Sequence, residues 1–267
     1  MSLWLAECPG GGIGRRAGFR YLWPQGRGSS SLLLGTIQPF SRLLPKGANR
    51  EKAEGRLSII NINDAKIVVH QGDLPDDVRF AGSIAVDTET QGLNLHRDRL
   101  CMIQMSAGDG TAHLVQFPNA NFEAPNVKAL MADKNVTKIF QYARFDVAVL
   151  KQYLGVDCTP VYCTKIASKL VRTYTEGHGL KALCKELLGV ELSKEQQSSD
   201  WALENLSDAQ LRYAASDVLY LHKLREKLDE MLVREDRTEL AAACFEFIPV
   251  RAALDIGGWQ DVDIFHH

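Results

Sequence analysis

The chain places its strand-like segments before its helical segments, and this order restricts the fold class. Five apolar runs have the length of strands and are bounded by turn residues, namely residues 65–70, 83–87, 100–106, 113–117 and 138–141. Helical segments follow, with one more short strand at residues 161–162 between them. Strands followed by helices interleaved with a strand indicate an α/β domain.

The spacing of apolar residues predicts that the second half of the chain is mainly helical. One helix is predicted over residues 144–154 and ends at Gly155, since glycine is common just past a helix end. A longer helix begins at Ser207, whose spacing to Gln210 is that of a capping box. Its predicted apolar face consists of Leu211, Ala214, Val218, Leu221, Leu224 and Leu228. The other predicted helices cover residues 165–173, 180–188 and 238–247.

The first fifty residues differ in composition from the rest. They contain one acidic residue against seven basic ones, with dense glycine and serine. Three interpretations stay open: a disordered tail, an organelle transit peptide, or upstream sequence read through from a wrongly placed start. We favour a disordered or non-native, non-catalytic extension over residues 1–57, followed by one domain over residues 58–267.

Charge and cysteine content exclude several classes of protein. The net charge of −2 argues against a chain that binds nucleic acid through overall basicity. Six scattered cysteines without a C-x-x-C pair predict reduced, buried thiols and a cytoplasmic protein, although residues 1–50 leave organelle targeting open. No run approaches the roughly 18 apolar residues of a membrane span, so no membrane partner is expected.

Two acids at the end of a buried strand form the first chemical motif. Asp87 and Glu89 are two residues apart, so their side chains point to the same side of the strand. Two carboxylates that close repel each other unless a cation lies between them. Oxygen ligands suit Mg²⁺ or Mn²⁺. The alternative is a pair of solvated acids that follow a strand.

Two further motifs acquire meaning only together with the first. Asp146 lies in the first turn of a predicted helix, where an acid also stabilises the helix start. Tyr213 and Asp217 are four residues apart on one face of the long helix. Alone, each motif reads as an ordinary structural or surface feature. Together they place every acid on the kind of element that a shared metal site requires.

The order of these motifs resembles the DEDD superfamily of 3′–5′ exonucleases, in the subclass that has a tyrosine at the position of Tyr213. Three segments are similar to the ribonuclease D group, namely residues 164–170, 197–201 and 213–221. The arginine-proline pair usual after the tryptophan is absent from residues 202–206, and the chain ends soon after the nuclease domain. Residues 172–181 and the tail through Trp259 and Phe265 resemble the short bacterial form of the group, nanoRNase C.

The resemblance implies an α/β, ribonuclease H-like fold with a mixed central sheet flanked by helices. It also implies two Mg²⁺ or Mn²⁺ ions held by the four acids Asp87, Glu89, Asp146 and Asp217. Asp87 would bridge both ions, and Tyr213 would orient the attacking water. The implied substrate is short single-stranded RNA, including dinucleotides, which would be degraded to nucleoside 5′-monophosphates.

Several residues are predicted to contact the substrate. The resemblance makes Leu93 a wedge between the last two bases, although a plain loop leucine is an equal alternative. His178 would touch a phosphate or cap the following helix. The remaining candidates are Thr88, Lys165, Lys169, Arg172 and Lys181, of which each cation could equally be a solvated surface charge.

Alternative functions stay open at this stage. A DNA-directed 3′–5′ exonuclease of the same superfamily would share every acid and differ in its recognition of the ribose 2′-hydroxyl. A catalytically inactive fold used for binding is disfavoured, because all four acids and the tyrosine are present. The short family forms assemble as closed rings, so the resemblance predicts a homo-oligomer, an octamer.

Overall fold

The computed structural model describes residues 62–193 and 195–267, and a six-stranded mixed sheet lies at its centre. The strands, in chain order, are β1 (Lys66–Gln71), β2 (Ser83–Thr90), β3 (Leu100–Ser106), β4 (Thr111–Gln116), β5 (Thr137–Phe140) and β6 (Val161–Cys163). All six predicted strands are confirmed, with shifted ends. The predicted extension over residues 1–57 lies outside the described residues and stays a prediction.

The order of strands across the sheet is β1-β4-β3-β2-β5-β6. The pairs of β3 with β2 and with β4 are antiparallel, whereas β1 with β4, β2 with β5 and β5 with β6 are parallel. Every residue of β3 is buried, as expected for a central strand covered on both faces. The mixed sheet confirms the predicted fold class.

Helices cover both faces of this sheet. They are α1 (Pro125–Ala132), α2 (Ala143–Leu154), α3 (Thr164–Val171), α4 (Leu180–Leu183), α5 (Asp208–Leu219), α6 (Leu221–Arg234) and α7 (Thr238–Leu254). One core contains apolar residues of α1 and α2, and the other contains those of α3, α5 and α6. A 3-10 turn precedes β1 at Ile62–Asp64, and π-helical turns follow α4 at Cys184–Leu188 and α7 at Asp255–Trp259.

The prediction of one long helix from Ser207 is wrong beyond Leu219. Its start is confirmed, since the Ser207 side chain accepts a hydrogen bond from the backbone of Gln210 and the capping box is complete. The helix breaks at Tyr220, where φ is −103° and ψ is −9°. The break separates α5, which packs on β2, β3 and β4, from α6, which packs on α3.

Three other helix predictions need correction. The helix predicted over 165–173 ends at Val171, and the one over 180–188 changes to a π-helical turn after Leu183. The last helix runs to Leu254 instead of residue 247, because α7 packs along α2 and continues past Pro249. Among the described residues, no helix has both the length and the apolar content needed to cross a membrane.

Candidate active site

Three of the predicted acids meet at one point between β2 and α5. Asp87 and Glu89 project from the same face of β2, and Asp217 lies on α5, which packs over that strand. One carboxylate oxygen of each lies within 4.8 Å of the other two. The pairing of β2 with β3 shifts register between Glu89 and Thr90, and such an irregularity re-aims side chains next to a site.

The fourth acid, Asp146, reaches the cluster from α2. Its side chain lies in the first turn of that helix and is only 4% exposed. The hydroxyl of Thr88 donates a hydrogen bond of 2.7 Å to its Oδ1 atom. Stabilisation of the helix start does not by itself account for Asp146, since the residue is buried beside the other carboxylates.

Tyr213 lies one helical turn before Asp217 on α5. Burial and the charge of Asp217 raise the pKa of its phenol, which places the hydroxyl near that carboxylate. Its ring packs against the indole of Trp201, with the ring centroids 6.0 Å apart. The phenol therefore lies beside the acidic cluster, with its ring packed against Trp201.

Burial raises the pKa of every acid in the cluster, and repulsion by neighbouring acids adds to this for Asp87, Glu89 and Asp217. Burial raises the pKa of Asp87 and of Glu89 well above the usual range, and the neighbouring acids raise both further. Burial also raises the pKa of Asp146 to about 7, against the lowering effect of the Thr88 hydroxyl. The pKa of Asp217 is raised to about 7 by burial and by the charge of Asp146.

These residues fit a divalent cation. The donor set consists of carboxylate oxygens alone, which is what Mg²⁺ and Mn²⁺ prefer. The raised pKa values show that the carboxylates lack a compensating positive charge, which a bound cation would supply. The three acids Asp87, Glu89 and Asp217 could hold one ion directly, and Asp146 borders the same space.

The acids lie on one wall of a cleft of about 960 Å³. Four of the predicted substrate contacts line it, namely Thr88, Leu93, Lys165 and Lys181. The Leu93 side chain is 82% exposed at the cleft. The Lys165 ammonium lies 4.0 Å from the centroid of the Tyr142 ring. The hydroxyl of Thr88 is already used on Asp146, so this residue orients a carboxylate from within the cleft wall.

Three predicted substrate contacts are not brought into the cleft. Arg172 is fully buried, and its guanidinium donates to Ser168 Oγ, to the Gly177 carbonyl and to Glu186. It therefore holds the loop after α3 and has no donor directed at a phosphate. Lys169 is exposed on α3 but does not line the cleft.

The structure also corrects the predicted capping role of His178. The residue is buried, and its Nδ1 atom lies 2.8 Å from Ser168 Oγ. Its backbone carbonyl accepts a hydrogen bond from Gln141 Nε2 at 2.8 Å. It does not cap α4 either, because the N-cap of that helix is Gly179 and no side chain bonds there. The capping interpretation of His178 is therefore wrong, whereas its contact with a substrate phosphate stays a prediction.

The lining residues without a role assigned from the sequence include Gln141, Tyr142, Lys185 and Trp201. Trp201 falls inside a segment that resembles the ribonuclease D group, but an aromatic residue there is equally typical of a core. Gln141 directly follows β5, at the same end as Asp146, and that position was the available signal. Lys185 carried no distinguishing pattern, and it forms an ion pair of 2.8 Å with Glu191.

Sequence comparisons agree with this arrangement. Residues 72–233, more than half of the chain, match the profile of the 3′–5′ exonuclease family. Ribonuclease D of Acidiphilium cryptum is 30% identical over 159 residues, which are 60% of this chain and 40% of that protein. The chain thus spans about two fifths of the length of the curated ribonuclease D relatives that it matches.

Solved structures extend the comparison. Brucella melitensis NrnC is 55% identical with a TM-score of 0.73, and the match covers 76% of this chain and 98% of that one. NrnC has also been solved with bound Mg²⁺ (TM-score 0.72) and bound to pGG (TM-score 0.73), each at 54% identity with 76% of this chain and 99% of the other covered. Escherichia coli RNase D shares the fold, with 24% identity, a TM-score of 0.58 and coverage of 64% and 45%. The chain therefore belongs to the 3′–5′ exonuclease family, as a ribonuclease D-like member of the metal-dependent DEDD superfamily that is close to NrnC.

Proposed function

We propose that this chain is a 3′–5′ exoribonuclease that degrades short single-stranded RNA, including dinucleotides, to nucleoside 5′-monophosphates with two divalent cations. One observation carries the proposal: four carboxylates and a tyrosine, far apart along the chain, line the same cleft, with Asp146 buried and the other three acids half-buried. A structural role explains this poorly, because carboxylates that are partly or fully removed from water without a cationic partner destabilise a fold. Mutually repelling acids are typical of sites that bind cations.

We assign a role to each site residue from its position in the cluster. Two divalent cations would stabilise charge on the attacking and leaving oxygens of the phosphodiester. Asp87, Glu89 and Asp217 would hold the first, and Asp146 with Asp87 the second. Burial and the charge of Asp217 raise the pKa of Tyr213 further above the usual 10, so its phenol keeps its proton while the acids hold no cation. We therefore assign it the role of orienting the attacking water through its hydroxyl.

Other residues that line the cleft support a nucleotide substrate. Leu93 presents an exposed apolar side chain, and the loop that carries it is held by Asp98, whose carboxylate accepts a hydrogen bond of 2.9 Å from the backbone of Asn94. A side chain on Gly92 would collide with that carboxylate, so the loop has little freedom. Lys165 and Lys181 place positive charge in the cleft, as a phosphate backbone requires.

The NrnC structure bound to pGG supports a short RNA as the substrate class. DNA remains the competing substrate, since the acids act on either backbone. The decisive experiment is a time course on 5′-labelled RNAs of two to ten nucleotides and on matched DNAs, with Mg²⁺ and with Mn²⁺. We expect the dinucleotide to disappear and RNA to be cut faster than DNA. Equal rates on RNA and DNA would contradict the proposal that RNA is the preferred substrate. An Asp87→Ala protein as active as wild type would contradict the proposal that the chain is a nuclease.

We also propose that the chain forms a homo-oligomer, with an octameric ring as the expected state. Exposed apolar side chains cluster on α7 and the tail after it, where the rings of Phe247 and Phe265 lie 6.2 Å apart. Val250 and Phe265 are 52% and 69% exposed, and such patches mark interaction surfaces. Light scattering at micromolar concentration tests this assembly, and a monomer would contradict it.

A further inference from the structure

The central strand contains a buried side chain that lacks any hydrogen-bond partner. Gln104 on β3 is 0% exposed, and within residues 62–193 and 195–267 neither its amide nitrogen nor its amide oxygen has a partner. A buried carboxamide without partners is costly, and the great majority of buried polar side-chain atoms are bonded. A glutamine retained at such a position therefore needs an explanation beyond packing.

A second glutamine on the neighbouring strand shows the ordinary situation. Gln116 on β4 is also buried, but its Nε2 atom donates to the Leu203 carbonyl at 2.7 Å. Its Oε1 atom accepts a hydrogen bond of 3.1 Å from Gln71. The sheet thus satisfies one buried amide and leaves the other unsatisfied.

The position of Gln104 relates it to the acidic cluster. In the antiparallel pair of β2 and β3, Gln104 lies directly opposite Asp87. Residues opposite each other project from the same face, with Cβ atoms about 4.5–5.5 Å apart. On its other side, Gln104 is paired with Leu114 of β4, which packs in the core beneath α5. Gln104 therefore lies between the sheet and α5, beside Asp87.

We infer that Gln104 is a positioning residue for Asp87, with its amide N–H reserved for the Asp87 carboxylate in the cation-loaded site. The inference rests on the proposed function. A carboxylate that holds a cation keeps lone pairs free, and a neighbouring donor that uses one of them orients the ligand.

The test replaces Gln104 by methionine, which has a similar length and removes both polar atoms. Metal-free Gln104→Met protein is expected to unfold at the same temperature as wild type or higher, since an unsatisfied amide is lost. Its dissociation constant for Mg²⁺, measured by calorimetric titration, is expected to rise about 10- to 100-fold, as for other residues that orient metal ligands. The matched control is Gln116→Met, which loses real hydrogen bonds and is expected to unfold at a lower temperature with unchanged Mg²⁺ affinity.

Each result of these measurements either supports or overturns the inference about Gln104. Unchanged Mg²⁺ affinity in Gln104→Met would overturn the inference, and so would a loss of stability equal to that of Gln116→Met or a failure to fold. Weakened Mg²⁺ binding in a protein of undiminished stability would support it. Failure of the proposed function has a different signature, because the wild type itself would then bind no Mg²⁺ and cleave no RNA.

Discussion

The hydroxyl of Thr88 donates a hydrogen bond of 2.7 Å to Oδ1 of Asp146, which joins the middle of β2 to the first turn of α2. Thr88 lies between Asp87 and Glu89 and points to the opposite face of the strand. One short segment of β2 thus supplies two acids directly and orients a third through its hydroxyl. This hydrogen bond also lowers the pKa of Asp146, against the effect of burial.

Removal of this hydroxyl is expected to weaken cation binding. Thr88→Val keeps the shape of the side chain and removes the donor, so Asp146 loses the contact that orients it and favours its charged form. We expect Mg²⁺ affinity or activity to fall about 10- to 100-fold. Thr88→Ser keeps the hydroxyl and is expected to stay within about threefold of wild type. Mg²⁺ titration of both variants tests this, and equal affinities would contradict it.

Tyr213→Phe is expected to separate turnover from binding. The substitution removes only the hydroxyl, so the ring still packs against Trp201. Loss of an oriented water is expected to lower kcat about 100-fold or more. Binding of a non-cleavable dinucleotide is expected to be unchanged, since the hydroxyl positions water and not substrate. A large loss of dinucleotide affinity would contradict this role.

Two lysines on α3 provide a matched pair for substrate binding. Lys165 lines the cleft beside Tyr142, whereas Lys169 is exposed outside it. Lys165→Ala is expected to raise KM for short RNA about tenfold, because a charge-assisted hydrogen bond to a phosphate is lost. Lys169→Ala is expected to leave KM unchanged. Steady-state kinetics at two salt concentrations measure KM for both variants. Equal changes in KM would show that the substrate phosphates do not bind preferentially in the cleft.

The acidic cluster was predictable from the sequence because each acid lies on an element with a strong local signal. Asp87 and Glu89 are on one face of an apolar strand, and Asp217 is placed by the helix that Ser207 caps. The period of each element sets the direction of the side chain, so convergence required only that α5 pack on β2. Asp146 was harder, since an acid in a first helical turn is common without any site.

The basic residues were less predictable, because the sequence does not show which cations are buried. Arg172 follows α3 like any surface arginine, yet it is enclosed by Glu186, Ser168 and the Gly177 carbonyl. Two of these partners come from segments after α3 that have no pattern in common with it. The break at Tyr220 was hidden for a similar reason, since the apolar spacing continues through it while the backbone direction changes.

The raised pKa values predict how stability depends on pH in the absence of cations. Asp146 and Asp217 have a pKa of about 7 in the folded chain, against about 3.9 for an unfolded aspartate. The folded state therefore binds more protons than the unfolded state between about pH 4 and pH 7. Its stability is expected to fall as pH rises through this window.

Thermal unfolding in EDTA and in Mg²⁺ measures this effect. We expect Tm without cations to be about 4–8 °C lower at pH 8 than at pH 5.5, which corresponds to about 2 kcal/mol for a domain of this size. Mg²⁺ binds the ionised acids of the folded state and is expected to raise Tm more at pH 8 than at pH 5.5. Asp217→Asn removes one of the repelling charges, so it is expected to reduce both the pH dependence and the Mg²⁺ shift. A Tm without cations that rises from pH 5.5 to pH 8 would contradict the burial of unpaired carboxylates on which the site depends.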